Sequence, residues 1–220
     1  MRILRGAGLS NLDIVVGEVR GRDRDRYLSV LYAPAAVRPA LFALHGLDLE
    51  LAAVVTGTTE PMIGEIRLAW WREALIGLDA GVVPAQPLLA LLAAAVVPLG
   101  VSGAELAELE DRWAGLIGGA DVPEAHIAGG GALFGWMARV LDGDEVLGRR
   151  LGRLWVTGEV AALPVVPSAL RSLLGLVRLA QRDALRAGPA GPAGRAGEGR
   201  EVRGSLARQW RLLMAIAFGR

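Results

Sequence analysis

Residues 36–55, AVRPALFALHGLDLELAAVV, are almost wholly apolar, and their apolar positions recur at helical rather than strand spacing. At about 100° per residue, Leu44, Leu47, Leu51 and Val55 form one stripe. His45, Leu49, Ala52 and Thr56 form the neighbouring stripe, with Asp48 at its edge. Glu50 projects to roughly the opposite side from Ala52. Pro39 is tolerable because it falls in the first turn. No segment of the chain reads as a strand ladder; the few Val clusters are short and embedded in Ala/Leu-rich helical patterns.

The rest of the chain divides into further helices. Patterns predict them over 22–32, stopping before Pro34, over 64–75 after Thr59, and over 86–97. Ser102 and Glu105 have capping-box spacing and open a helix to about Gly118. Asp121, Pro123 and Glu124 open another through HIAGGGALFGWMARVL, whose glycines 129–131 allow a helix backbone or a ligand to approach closely. A phosphate-cradling loop there is disfavoured, since no strand precedes it and no Lys or Ser/Thr follows. Two more helices are expected over 146–163 and 168–187. The expected fold class is all-α, a single-domain bundle of about eight to nine helices over 1–187. A Gly/Pro/Ala linker follows over 188–204, then a basic amphipathic helix over 205–220 that docks on the bundle or lies on a membrane.

Composition narrows the chemistry. The chain has no cysteine, so disulfides and thiolate metal sites are excluded, and all 24 basic residues are Arg, which excludes lysine Schiff-base chemistry. Net charge is +1, but residues 178–220 hold nine Arg against three acids. That basic tail suits an anionic membrane surface or an acidic partner; Trp210 and Phe218 alone offer little stacking for nucleic acid, which is not expected as a partner. The apolar window 87–99 is too short to span a bilayer. With no sustained apolar run in the first residues, a cytoplasmic, membrane-peripheral location is expected.

Tyr27, Ser29, Pro34, Arg38, Ala40, Ala43 and Leu44 follow a tyrosine, small residue, Pro, Arg-x-Ala, Ala-Leu pattern. In that pattern the chain resembles the squalene/phytoene synthase family, which joins two prenyl diphosphates head to head. The resemblance implies the isoprenoid-synthase type of helical bundle. Family enzymes carry an Asp-Asp-x-x-Asp run on the same helix, and here Ala52, Ala53 and Thr56 occupy those positions. A second acidic helix of the family corresponds to LGRLWVTGEVAALP, where Gly152 fits the start. Ala161 and Ala162 stand in place of Arg-Asp, and Glu159 is the only acid. Ionising a prenyl diphosphate requires its charge to be neutralised by Mg²⁺ held on carboxylates and phosphate oxygens. No cofactor is therefore expected, and Mg²⁺ enters only if Asp48, Glu159 and a further acid rebuild a site.

LDLELA (47–52) and EPMIGEIRLAWWRE (60–73) resemble the branch of the family that includes the mitochondrial complex I assembly factor. Three readings stay open. One is a non-catalytic accessory protein that binds a protein partner or a hydrophobic or prenyl ligand. The second is an active prenyl-diphosphate transferase with a rearranged Mg²⁺ site. The third is an interaction module whose cavity is filled by Trp70, Trp71, Phe134 and Trp155. No residue stands out as catalytic. The ligand-binding candidates are Tyr27, Arg38, His45, Asp48, Arg67 and Trp71, and the weak metal candidates are Asp48 and Glu159. The plainer expectations are that His45 and Asp48 bond each other or water, and that Arg67 bonds Glu50 or Glu65.

Overall fold

The computed structural model describes residues 9–117, 123–161, 163, 165–187 and 205–219. All regular structure among them is helical: eleven α-helices and four short 3-10 turns. The expected linker 188–204, Asp121 and Ala162 lie outside the described residues.

The first helix is one that hydrophobic periodicity did not announce. In α1 (Asn11–Arg22) the Ser10 hydroxyl accepts the Asp13 N–H and the Asp13 carboxylate accepts the Ser10 N–H, a capping box. The chain then breaks at Asp23, whose extended backbone and side-chain bonds to the Asp25 and Arg26 amides open α2 (Arg24–Leu31). Thus the helix expected to begin at Arg22 begins two residues later. The long apolar helix is α3 (Arg38–Gly57), packed against α1, α2, α4 (Pro61–Gly77) and α5 (Pro87–Ala95). Leu44, Leu47 and Leu51 are fully enclosed; each such side chain stabilises the fold by about 1.5–3 kcal/mol. Residues 35–57 are long and apolar enough to cross a bilayer, but 61% of the apolar 18-residue window within them is buried in the bundle.

The helix expected over 102–118 is two, α6 (Gly103–Ala107) and α7 (Leu109–Ala114), with the Ser102–Glu105 capping box in place. The next pair, α8 (Glu124–Val140) and α9 (Glu145–Thr157), makes the most intimate contact among the described helices. Its glycines serve a helix backbone: a side chain at Gly152 would collide with the Gly130 carbonyl, and one at Gly148 would lie 2.7 Å from the Phe134 carbonyl. Expected to reach 163, α9 stops at Thr157 because Gly158 adopts φ 67° and returns its N–H to Leu154. Finally, α10 (Arg171–Ala187) carries α11 (Leu206–Phe218), which docks with Leu212 and Ala215 buried and with Gly175 making room for Leu212 and Ile216.

Candidate functional site

Asp48 on α3 is completely enclosed, a position where a carboxylate survives only if paired. Its Oδ2 accepts from Arg26 Nη1 of α2 at 2.8 Å, and its Oδ1 accepts from Trp113 Nε1 of α7 at 3.0 Å. Arg112 Nε, also on α7, lies 2.9 Å from Oδ1. Arg112 Nη1 continues to the His126 carbonyl (3.0 Å), and the His126 ring Nδ1 returns to the Arg112 carbonyl (3.0 Å). Across the cluster lies the Trp155 indole of α9, 4.8 Å from the Arg26 guanidinium carbon and 5.3 Å from that of Arg112. Phe134 stacks on Trp155 with centroids 4.9 Å apart.

The electrostatics follow from two cations sharing one interior anion. Burial pushes the Asp48 carboxyl upward, but Arg112 and Arg26, with the Trp113 bond, reverse this and hold it below the ordinary carboxylate range. Burial pulls Arg112 down, with Asp48 opposing. Arg26 finds a second acid in Asp23, 3.3 Å away. A cavity of about 380 Å³ opens beside the cluster, lined by Asp23, Arg26, Arg112, His126, Trp155 and Thr157 among others.

Of the residues singled out in the sequence, Asp48 sits at this centre. His45 is buried one turn away with its Nδ1 unpartnered, and burial, reinforced by Arg26, lowers its pKa to about 3. It does not hydrogen-bond Asp48, whose oxygens are taken by Arg26, Arg112 and Trp113. The other candidates are placed elsewhere. Tyr27 packs on Phe42 (5.8 Å) beneath the Arg20 guanidinium. Arg38 donates to the Ala33 carbonyl at 2.9 Å and braces the turn before α3. Arg67 is exposed on α4, and the expected partner Glu50 pairs with Arg22 instead at 2.9 Å. Trp71 fills the core, whereas Trp70, edge-on to it at 5.2 Å, stays half-exposed. Glu159 is exposed beyond the end of α9.

The donor set does not suit a magnesium–diphosphate site. Ala52 and Ala53 carry no ligand atom, and the Thr56 hydroxyl donates to the Ala52 carbonyl of its own helix (3.0 Å). Asp48 is committed to guanidinium groups, and Glu159 lies outside the cluster. Among the described residues no three His, Asp or Glu side chains converge as a metal cage. Arg26, Arg112, Trp113 and His126 escaped sequence reasoning. The available signal was Asp48 itself, a lone acid on the cavity side of an apolar helix, in a chain whose every basic residue is Arg.

Residues 19–109 match the model of the family described as squalene/phytoene synthase. NADH dehydrogenase (ubiquinone) complex I, assembly factor 6, of Bos taurus is 34% identical over 84 residues, covering 38% of this chain and 25% of the relative. The Homo sapiens protein of the same name is 35% identical over 70 residues, 32% of this chain and 21% of the relative. The matched segments thus span about a quarter or less of the curated relatives' length. No solved structure matches. The match takes in Arg26 and Asp48 but ends before Arg112 and Trp155, so the likeness to the squalene/phytoene synthase family rests on residues 19–109.

Proposed function

We propose that this chain is a non-catalytic member of its family that acts as an accessory protein through a protein partner. One observation carries the reading: among the described residues, the buried carboxylate nearest the position of the family's acidic run is neutralised by two arginines and an indole N–H. A carboxylate so engaged would have to lose both cations before ligating a metal, and the neighbouring Ala52 and Ala53 have nothing to add. The names of the relatives support an assembly-factor-like role at a respiratory complex. The cavity, large enough for a small ligand, then offers guanidinium donors and an indole face instead of a metal cage.

Turnover tests this directly. Purified protein incubated with farnesyl or geranylgeranyl diphosphate and Mg²⁺ should release no diphosphate above a no-protein control. Steady release that requires Mg²⁺ would favour the alternative, a head-to-head prenyltransferase with a rearranged site.

A further inference from the structure

The outward face of the C-terminal helix combines an aromatic stripe with arginine-lined grooves. While α11 buries Leu212 and Ala215, it leaves Trp210 62%, Met214 38% and Phe218 62% exposed. These three recur at i, i+4, i+8 and therefore form one stripe. Two grooves flank the stripe. One, of about 240 Å³, is bounded by Arg178, Arg182, Arg211 and Met214; the other, of about 300 Å³, by Arg171, Arg178, Val165 and Phe218. Val165 at the rim is 94% exposed.

Charge decides what such a surface suits. Among the described residues no acid lines either groove. Arg171 donates to the Ala217 carbonyl and Arg178 to the Gln181 amide oxygen, both neutral acceptors, and each keeps a buried Nε–H without an acceptor. Arg208, on the inward side of α11, takes the nearby acids Asp25 and Asp183. The result is an apolar aromatic stripe bordered by guanidinium groups, with Arg171 and Arg178 bonded to neutral oxygens rather than to carboxylates. That is the pattern of a helix that lies in the headgroup region, its apolar face inserted and its cations on phosphates. The exposed apolar stripe on α4 (Met62, Ile66, Trp70) differs, because Glu65 and Glu73 border it.

We propose that the α10–α11 face binds an anionic bilayer surface, with Trp210, Met214 and Phe218 entering the interface and Arg171, Arg178, Arg182 and Arg211 contacting lipid phosphates. The proposal does not depend on whether the central cavity is catalytic. Co-sedimentation of the full chain tests it, with vesicles of phosphatidylcholine alone or with about 30 mol% phosphatidylglycerol, a charge density that attracts basic segments. Binding is expected to the anionic vesicles only, with Trp fluorescence shifted to the blue, and is expected to weaken in high salt. Arg182→Glu should weaken partitioning at least about five-fold, and Trp210→Ser with Phe218→Ser should abolish the shift. Arg67→Glu, the same charge reversal on exposed α4, should bind as wild type. Circular dichroism identifies any variant that has unfolded. Equal binding to neutral vesicles, equal loss with Arg67→Glu, or capture of an acidic polyglutamate peptide without any vesicle binding would overturn the proposal.

Discussion

Among single residues, two buried titratable groups on α3 set how the protein responds to acid. His45 has its pKa lowered to about 3 in the folded chain by burial, against 6.5 ordinarily. The unfolded chain therefore binds a proton below 6.5 that the folded chain refuses. Stability contributed by this group is complete above that pH and falls as pH drops toward 3, by about 1.4 kcal/mol per pH unit in between. His45→Leu, which keeps the volume roughly and removes the proton, should flatten urea-derived stability between about pH 6 and 4; an unchanged slope would show that His45 is not the group responsible. Asp48 acts in the same direction at lower pH, because its folded pKa is also depressed. Its larger effect is structural. Asp48→Asn leaves Arg26 and Arg112 facing each other without their shared anion and should cost about 3–5 kcal/mol in urea unfolding at neutral pH. A loss under about 1 kcal/mol would mean that water already screens the cluster.

Between elements, the contact of α8 with α9 rests on glycines that allow backbones to touch. Gly152→Ala would push a methyl into the Gly130 carbonyl and the Phe134 side chain and should lower stability by about 2–3 kcal/mol or more. Gly17, in α1, has nothing within 4 Å of the point where a methyl would stand, so Gly17→Ala should raise stability by about 0.5–1 kcal/mol through helix propensity alone. Thermal melts of the two variants should shift in opposite directions; shifts of the same sign would contradict the packing described. The sequence revealed α3, α4 and α5 because each has an apolar stripe at helical spacing or a clear start signal. It concealed α1, whose buried stripe is only Val15 and Val19, and it overran α9, since nothing in the periodicity announces that Gly158 turns left-handed. The arginine–aspartate cluster was concealed for another reason. Asp48 and Trp113 are 65 residues apart, and pairing at that separation is decided by how helices pack, which residue spacing does not encode.

Across the bundle, Arg208 ties the C-terminal helix to two others, bonding Asp25 of α2 at 2.6 Å and Asp183 of α10 at 2.8 and 2.9 Å. Burial works against its charge, but the two carboxylates hold its pKa above the ordinary arginine value. Arg208→Ala should remove the cation that Asp25 and Asp183 share and speed proteolysis of residues 205–219 well before the bundle is cut; cleavage at the wild-type rate would show that apolar contacts alone secure α11. The bundle class was legible in the sequence because helical periodicity runs through nearly every segment. The docked face of α11 was legible only in part, as the stripe Leu206, Trp210, Leu213 and Ala217. The structure turns the helix so that Leu212 and Ala215 face inward and Trp210 faces out, because Arg208 is drawn to Asp25 and Asp183. The same principle governs the centre, where guanidinium groups occupy Asp48, the carboxylate that a rearranged metal site would need. Calorimetric titration of farnesyl diphosphate into the full chain, with and without Mg²⁺, decides whether those cations have displaced the metal. The same isotherm is expected in both conditions, whether flat or weakly binding through the arginines; binding that appears only with Mg²⁺ would contradict it.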